Sequence, residues 1–292
     1  MRPLIPALVA LVMLAAGGCG RAGGESRASE QPELIAAFYP LEFVAAEIVG
    51  RHATVTNLSP PGVEPHDLEL APDQVRSLAQ ADLVVFIGGG FQPAVEDIID
   101  ELSGIPTIDA LDTQDELIGA GGADPHVWLD PTRLALVGNV IAREMAAIDA
   151  GNADVYRDNS AALAGALNAL DEEYSAALED CERNELVVSH EAFRYLTDRY
   201  RLEQVGVSGI DPESEPSPGR LAEVAELARE RGVTTIFFEE QVAPDIAEVI
   251  ADEVGARVQV LDPLEFKPEG GLDYLDVMRS NLDSISVALG CN

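Results

Sequence analysis

Three of the four histidines in this chain, His66, His126 and His190, lie in sequence settings suited to holding a side chain still, and that points to a metal site. His66 falls in Pro60-Pro61-Gly62-Val63-Glu64-Pro65-His66-Asp67, His126 in Asp124-Pro125-His126-Val127-Trp128-Leu129-Asp130-Pro131, and His190 in Val187-Val188-Ser189-His190-Glu191. Imidazole is the commonest side-chain ligand for zinc and its borderline neighbours, and three imidazoles with one carboxylate complete a tetrahedral shell. A proline directly before His66 and another before His126 restrict the backbone there, the preorganisation that metal ligands need. His52 has only a polar turn around it and reads as a surface residue. No metalloenzyme spacing is present: His190-Glu191 lacks the second histidine of the helical zinc-protease motif. Gly88-Gly89-Gly90 matches neither the dinucleotide-binding nor the P-loop pattern and reads as a tight strand-to-helix turn.

The elements that must position these histidines alternate along the chain. Apolar runs and their breaks predict strands over 34–38, 54–58 and 83–87, and helices over 41–49, 73–80, 93–102 and 131–148. A stretch without proline over 153–179 carries Leu163, Leu167, Leu170 and Tyr174 at helical spacing, and at 1.5 Å per residue it would reach roughly 40 Å. The second half repeats the alternation, with strands over 186–188, 204–207, 234–238 and 259–261 and helices over 192–200, 218–231, 244–254 and 274–289. The expected fold is therefore α/β, with two similar lobes of parallel sheet covered by helices and one long connecting helix between them. The predicted divisions are an N-terminal lobe over 33–150, the connecting helix over 151–181 and a C-terminal lobe over 182–292. Ligands of such sheets bind beyond the carboxyl ends of the strands. His66, His126, His190 and Asp262 all fall in loops of that kind, two in each lobe, so the site is expected in the cleft between lobes.

Composition narrows the class. A single charge, Arg2, an apolar run over 4–16 and Gly17-Gly18-Cys19 make residues 1–18 a secretory signal of the lipoprotein type, with Cys19 as the acylated residue and a flexible tether over 19–32. Cys181 and Cys291 then remain as an even pair in an oxidising compartment and are expected to form a disulfide. The formal charge of −34, from 52 acidic and 18 basic residues, argues against nucleic acid as a partner. It concentrates cations, but its spread along the chain fits solubility equally well.

Four segments, in order, resemble those of the zinc/manganese ABC-transporter solute-binding proteins, the ZnuA-like family. They are Pro60 through Glu69, Asp124 through Pro131, Ser189-His190-Glu191-Ala192-Phe193, and Gly209-Ile210-Asp211-Pro212-Glu213-Ser214-Glu215-Pro216-Ser217. The resemblance runs from about Glu33 to the C-terminus. It implies two pseudo-symmetric lobes joined by a rigid helix, a metal held between them and delivery to a membrane permease. It implies His66, His126 and His190 as nitrogen ligands and Asp262, in Leu261-Asp262-Pro263-Leu264, as the carboxylate ligand, with Glu239 standing behind the ligands at most. Two departures stand out. The segment between Asp112 and Asp124 is short and has no histidine, whereas many dedicated zinc members carry a long histidine-rich loop there. Glu64 is separated from His66 by Pro65, unlike members that use a Glu immediately before the first His. Three imidazoles with one carboxylate suit Zn²⁺, and a harder, oxygen-richer shell would suit Mn²⁺. The expected role is a non-enzymatic extracytoplasmic receptor, monomeric and anchored by lipid to the outer face of the cell membrane, that passes Zn²⁺ or Mn²⁺ to an ABC importer. The alternative is a zinc-dependent hydrolase using the same three histidines, with water at an open position.

Overall fold

Apolar segments with continuous burial fall at the centre of each sheet, and this sets the architecture. The computed structural model describes residues 31–102, 104–114, 124–212, 214–239 and 245–292. The predicted signal over 1–18, Cys19 and nearly all of the tether lie outside the described residues, as does most of the segment between Asp112 and Asp124.

The first sheet is built from β1 (Glu33–Ala36), β2 (Thr54–Asn57), β3 (Leu83–Phe86) and β4 (Thr107–Asp109), all parallel, in the order β2-β1-β3-β4. The second uses β5 (Glu185–Val188), β6 (Glu203–Gly206), β7 (Thr235–Phe238) and β8 (Arg257–Val260), again parallel, in the order β6-β5-β7-β8. The two orders are the same topology used twice. In each, the two most apolar strands (ELIA and LVVF, then ELVV and TIFF) occupy the middle and the more polar TVTN and RVQV the edges. A parallel strand covered on both faces must be apolar throughout, and an edge strand need not be.

Helices α1 (Tyr39–Val49), α2 (Pro72–Leu78), α3 (Pro93–Glu101) and α4 (Pro131–Ile148) cover the first sheet. Proline stands at the first turn of each, where its missing N–H has no partner to lose. α5 (Ala153–Ala177) joins the lobes; its 25 residues span about 38 Å at 1.5 Å each. Its buried side chains Tyr156, Ser160, Leu163, Leu167, Leu170 and Tyr174 recur every three or four residues, one face along the whole length. At one end Asn159 Nδ2 donates to the Ile48 carbonyl of α1 (2.9 Å), and at the other the Tyr174 hydroxyl donates to the Met278 carbonyl (2.5 Å). Helices α6 (Arg194–Tyr200), α7 (Pro218–Arg231), α8 (Asp245–Val254) and α9 (Tyr274–Leu289) complete the second lobe. The expected disulfide is formed between Cys181, just past α5, and Cys291, just past α9. No helix among the described residues is long and apolar enough to cross a membrane.

Most elements appear where the sequence predicts them, with differences at the ends. β1 stops at Ala36 rather than 38, and Phe38 is the extended residue directly before α1. α6 begins at Arg194 rather than 192, because the Ala192 N–H turns back onto the His190 carbonyl (3.0 Å) and Phe193 N–H donates to the Gln204 side chain (2.5 Å). The glycine run after β3 is the expected turn. Gly89 and Gly90 take φ of 73° and 87°, the left-handed region that disfavours a side chain. The Asp109 carboxylate clasps that turn through the Gly88 N–H (2.9 Å).

Candidate metal centre

Each histidine is delivered by a loop at the carboxyl end of a strand. His66 follows β2, His126 lies between β4 and α4, and His190 comes two residues after β5. All strands in both sheets are parallel, so these loops gather on one side of each sheet, and the lobes face each other there. His66 Nε2, His126 Nε2, His190 Nε2 and a carboxylate oxygen of Glu265 all lie within 4.8 Å of one another.

The fourth member is a correction. Asp262 does not join the cluster: its Oδ1 accepts the Leu264 N–H at 2.7 Å, and its own N–H and carbonyl pair with the Asn281 side chain. A short side chain directly after β8 is thereby turned into the cap of its own loop. Leu264 then takes φ 61°, which redirects the chain, and the longer Glu265 side chain reaches the three histidines. Glu265 Oε1 stands 3.6 Å from His66 Nε2, 3.3 Å from His126 Nε2 and 3.4 Å from His190 Nε2. Ligands about 2.0–2.1 Å from a tetrahedral centre are separated from one another by roughly 3.3–3.4 Å, and the three Glu265–histidine separations lie close to that value.

The three Nε2 atoms and both Glu265 oxygens are buried without a hydrogen-bond partner. Buried polar atoms are almost always satisfied, so five orphaned donor atoms converging on one point mark a place built for a cation. His126 and Glu265 are only 0% and 1% exposed, which keeps water out of the cluster.

Behind the donor atoms stand carboxylates that sequence reasoning only partly identifies. His126 Nδ1–H donates to Asp124 Oδ1 (2.8 Å), and the same oxygen accepts the His126 backbone N–H (3.0 Å). His190 Nδ1–H donates to Glu239 Oε1 (2.5 Å), which also accepts the Ser189 hydroxyl. Occupying Nδ1 in this way leaves Nε2 bare to coordinate. Glu239, expected behind the ligands at most, contacts the His190 ring; the matching contact of Asp124 with His126 was not anticipated, although its place two residues before His126 in a proline turn was the available signal. His66 is held differently, with its ring edge-on to Phe91 at 4.4 Å between centroids. His52, read as a surface residue, has no part in the cluster and lies near Tyr156.

The electrostatics follow from this crowding. Burial alone would lower the His190 pKa, but Glu239 and Glu265 reverse the effect and push it up to about 10. His126 is likewise raised, burial opposing and Asp124 and Glu265 prevailing. Burial would raise the Glu265 pKa, but the three imidazoles hold its carboxyl well below the usual range. Glu64, whose Oε1 accepts the His66 N–H at 3.4 Å, is pushed up to about 8 by burial and then by Glu265. The surrounding carboxylates therefore favour the protonated forms of His126 and His190.

Comparison with known proteins agrees with this geometry. The chain is 30% identical to the high-affinity zinc uptake system protein ZnuA of Bacillus subtilis (strain 168), over 96% of this chain and 94% of that one. The crystal structure of the Zn(II)-bound ZnuA-like domain of Streptococcus pneumoniae AdcA superposes with a TM-score of 0.78 at 32% identity, covering 89% of this chain and 99% of that one. The laminin-binding protein Lmb of Streptococcus agalactiae, described as having adhesin and metal-transporting activity, gives 0.81 at 32% identity over 88% and 99% of the two chains. Against the zinc-binding AdcA proteins of streptococci the chain spans only 55% to 59% of their length. Residues 34–288 match the family described as zinc-uptake complex component A, periplasmic, and the chain belongs to that ZnuA family.

Proposed function

We propose that this protein is an extracytoplasmic solute-binding protein that captures Zn²⁺ between its lobes and delivers it to an ABC importer, with His66, His126, His190 and Glu265 as the ligands. The observation that carries the reading is the convergence of three Nε2 atoms and a carboxylate, all buried without a hydrogen-bond partner and within 4.8 Å of one another. Nitrogen-rich, four-coordinate donor sets favour Zn²⁺ over Mn²⁺. The family and the zinc-binding relatives point the same way. A lipid anchor at Cys19, a monomeric state and lobes over 33–150 and 182–292 about a connector over 151–181 complete the proposal. Cargo delivery requires no chemistry on a substrate. A hydrolase would need a metal position open to water, and in this cluster that direction belongs to the buried Glu265.

The test is isothermal titration of chelator-stripped protein with Zn²⁺ and Mn²⁺ separately. One Zn²⁺ per chain, with much weaker Mn²⁺ binding and at least about a tenfold loss of Zn²⁺ affinity in Glu265→Gln, is the expected result. Equal binding of both metals would move the cargo toward Mn²⁺. Absence of Zn²⁺ binding would overturn the reading.

A further inference from the structure

We infer that Lys267 positions the carboxylate ligand: its ion pair with Glu42 latches the segment carrying Glu265 onto the opposite lobe and slows release of the metal. The inference rests on the reading of Glu265 as a ligand.

Residues 261–268 form a strap between β8 and the turn before α9. Its base is fixed to its own lobe, where Leu261 N–H donates to the Phe238 carbonyl (2.9 Å) and Asn281 brackets the backbone of Asp262. Beyond that base two hydrogen bonds tie it to the other lobe. Trp128 Nε1–H donates to the Pro263 carbonyl (2.7 Å), and Lys267 Nζ donates to Glu42 Oε1 (2.7 Å) on α1, 225 residues away in sequence. Glu265 lies between these two ties. The residue before it, Leu264, is fully buried and has φ 61°, a strained backbone that persists only where its surroundings enforce it.

Lys267 is the only lysine in a chain of 52 acidic residues. Glu42 is braced to receive it, since its other oxygen accepts Asn57 Nδ2 (2.9 Å) at the end of β2. The pair spans a cleft of 240 Å³ with Asn57, Pro61 and Val63 on one wall and Glu265, Phe266 and Lys267 on the other. That cleft lies between the loop leading to His66 and the strap bearing Glu265. Separating its walls therefore breaks the ion pair and draws the carboxylate away from His66 and His126 in a single movement. The Glu42 side chain is only 19% exposed, so the pair is partly shielded from solvent, although Lys267 is 57% exposed.

The test follows Zn²⁺ transfer from the loaded full chain to excess chelator by stopped flow. Lys267→Met and Glu42→Gln should each speed dissociation about two- to fivefold, the range for a partly exposed ion pair, with the association rate unchanged. The charge-swapped double variant Glu42→Lys/Lys267→Glu should return the rate toward that of the parent, and Lys267→Arg should retain it. Added salt should accelerate release from the parent but not from Lys267→Met. Unchanged release rates in both single variants, or faster release that the swap does not reverse, would overturn the latch. Glu265→Gln separates the two readings. If it binds Zn²⁺ as tightly as the parent, the ligand assignment fails and the latch with it; if it binds weakly while Lys267→Met releases at the parental rate, only the latch fails.

Discussion

The imidazoles of His126 and His190 are aimed by carboxylates at Nδ1, whereas His66 relies on a proline-bounded loop and an aromatic neighbour. Removing the charge from such a partner usually costs ten- to a hundredfold in metal affinity, so Asp124→Asn and Glu239→Gln should each weaken Zn²⁺ by about that much in titration. Asp262→Asn, which keeps an acceptor for the Leu264 N–H, should bind close to the parent, in contrast to Glu265→Gln. Protons and metal compete for the same atoms. Because His190 is raised to about 10 and His126 is also raised, Zn²⁺ must displace protons at neutral pH, and its affinity should fall by about tenfold per pH unit for each proton displaced as pH drops from about 8 to 6. A flat profile would contradict histidine ligation. The metal-free protein should show the opposite trend in stability. A histidine raised from 6.5 to about 10 contributes stability that is complete below its unfolded value and is lost as pH rises toward 10. Melting curves of metal-free and zinc-loaded protein from about pH 6 to 10 should therefore diverge as pH rises.

At the scale of elements, α5 sets the spacing of the lobes, and its buried stripe belongs to the core. Leu167 is fully buried on that stripe, and Leu167→Ala should cost about 2–5 kcal/mol in urea unfolding while leaving the ligands in place. The helix was legible because a period near 3.6 over 25 residues outweighs local exceptions. Strand and helix ends were less so. Whether Ala192 and Phe193 belong to α6 depends on a hydrogen bond from Gln204, eleven residues away from Phe193, which no local pattern encodes.

Across the whole molecule, the Cys181–Cys291 bond closes 110 residues and ties the end of the chain to the exit of α5. Closing a loop of that size restricts the unfolded chain, so the double substitution Cys181→Ser/Cys291→Ser should lower unfolding stability by about 2–5 kcal/mol in guanidinium titration. Zn²⁺ binding should offset part of that loss, because a ligand that binds only the folded state stabilises it. The sequence by itself determined the α/β alternation, the long connector, the cysteine pair and the three histidines, because periodicity, proline placement and residue chemistry are local properties of the chain. For the carboxylate it offered Asp262, directly after the last strand, and Glu265 was not anticipated. The choice of Glu265 over Asp262 in the loop after that strand was decided by tertiary structure. Asn281 on α9 and the left-handed turn at Leu264 commit Asp262 to capping the strap, and Trp128 of the other lobe holds the strap where the reach of Glu265 matches the three Nε2 atoms.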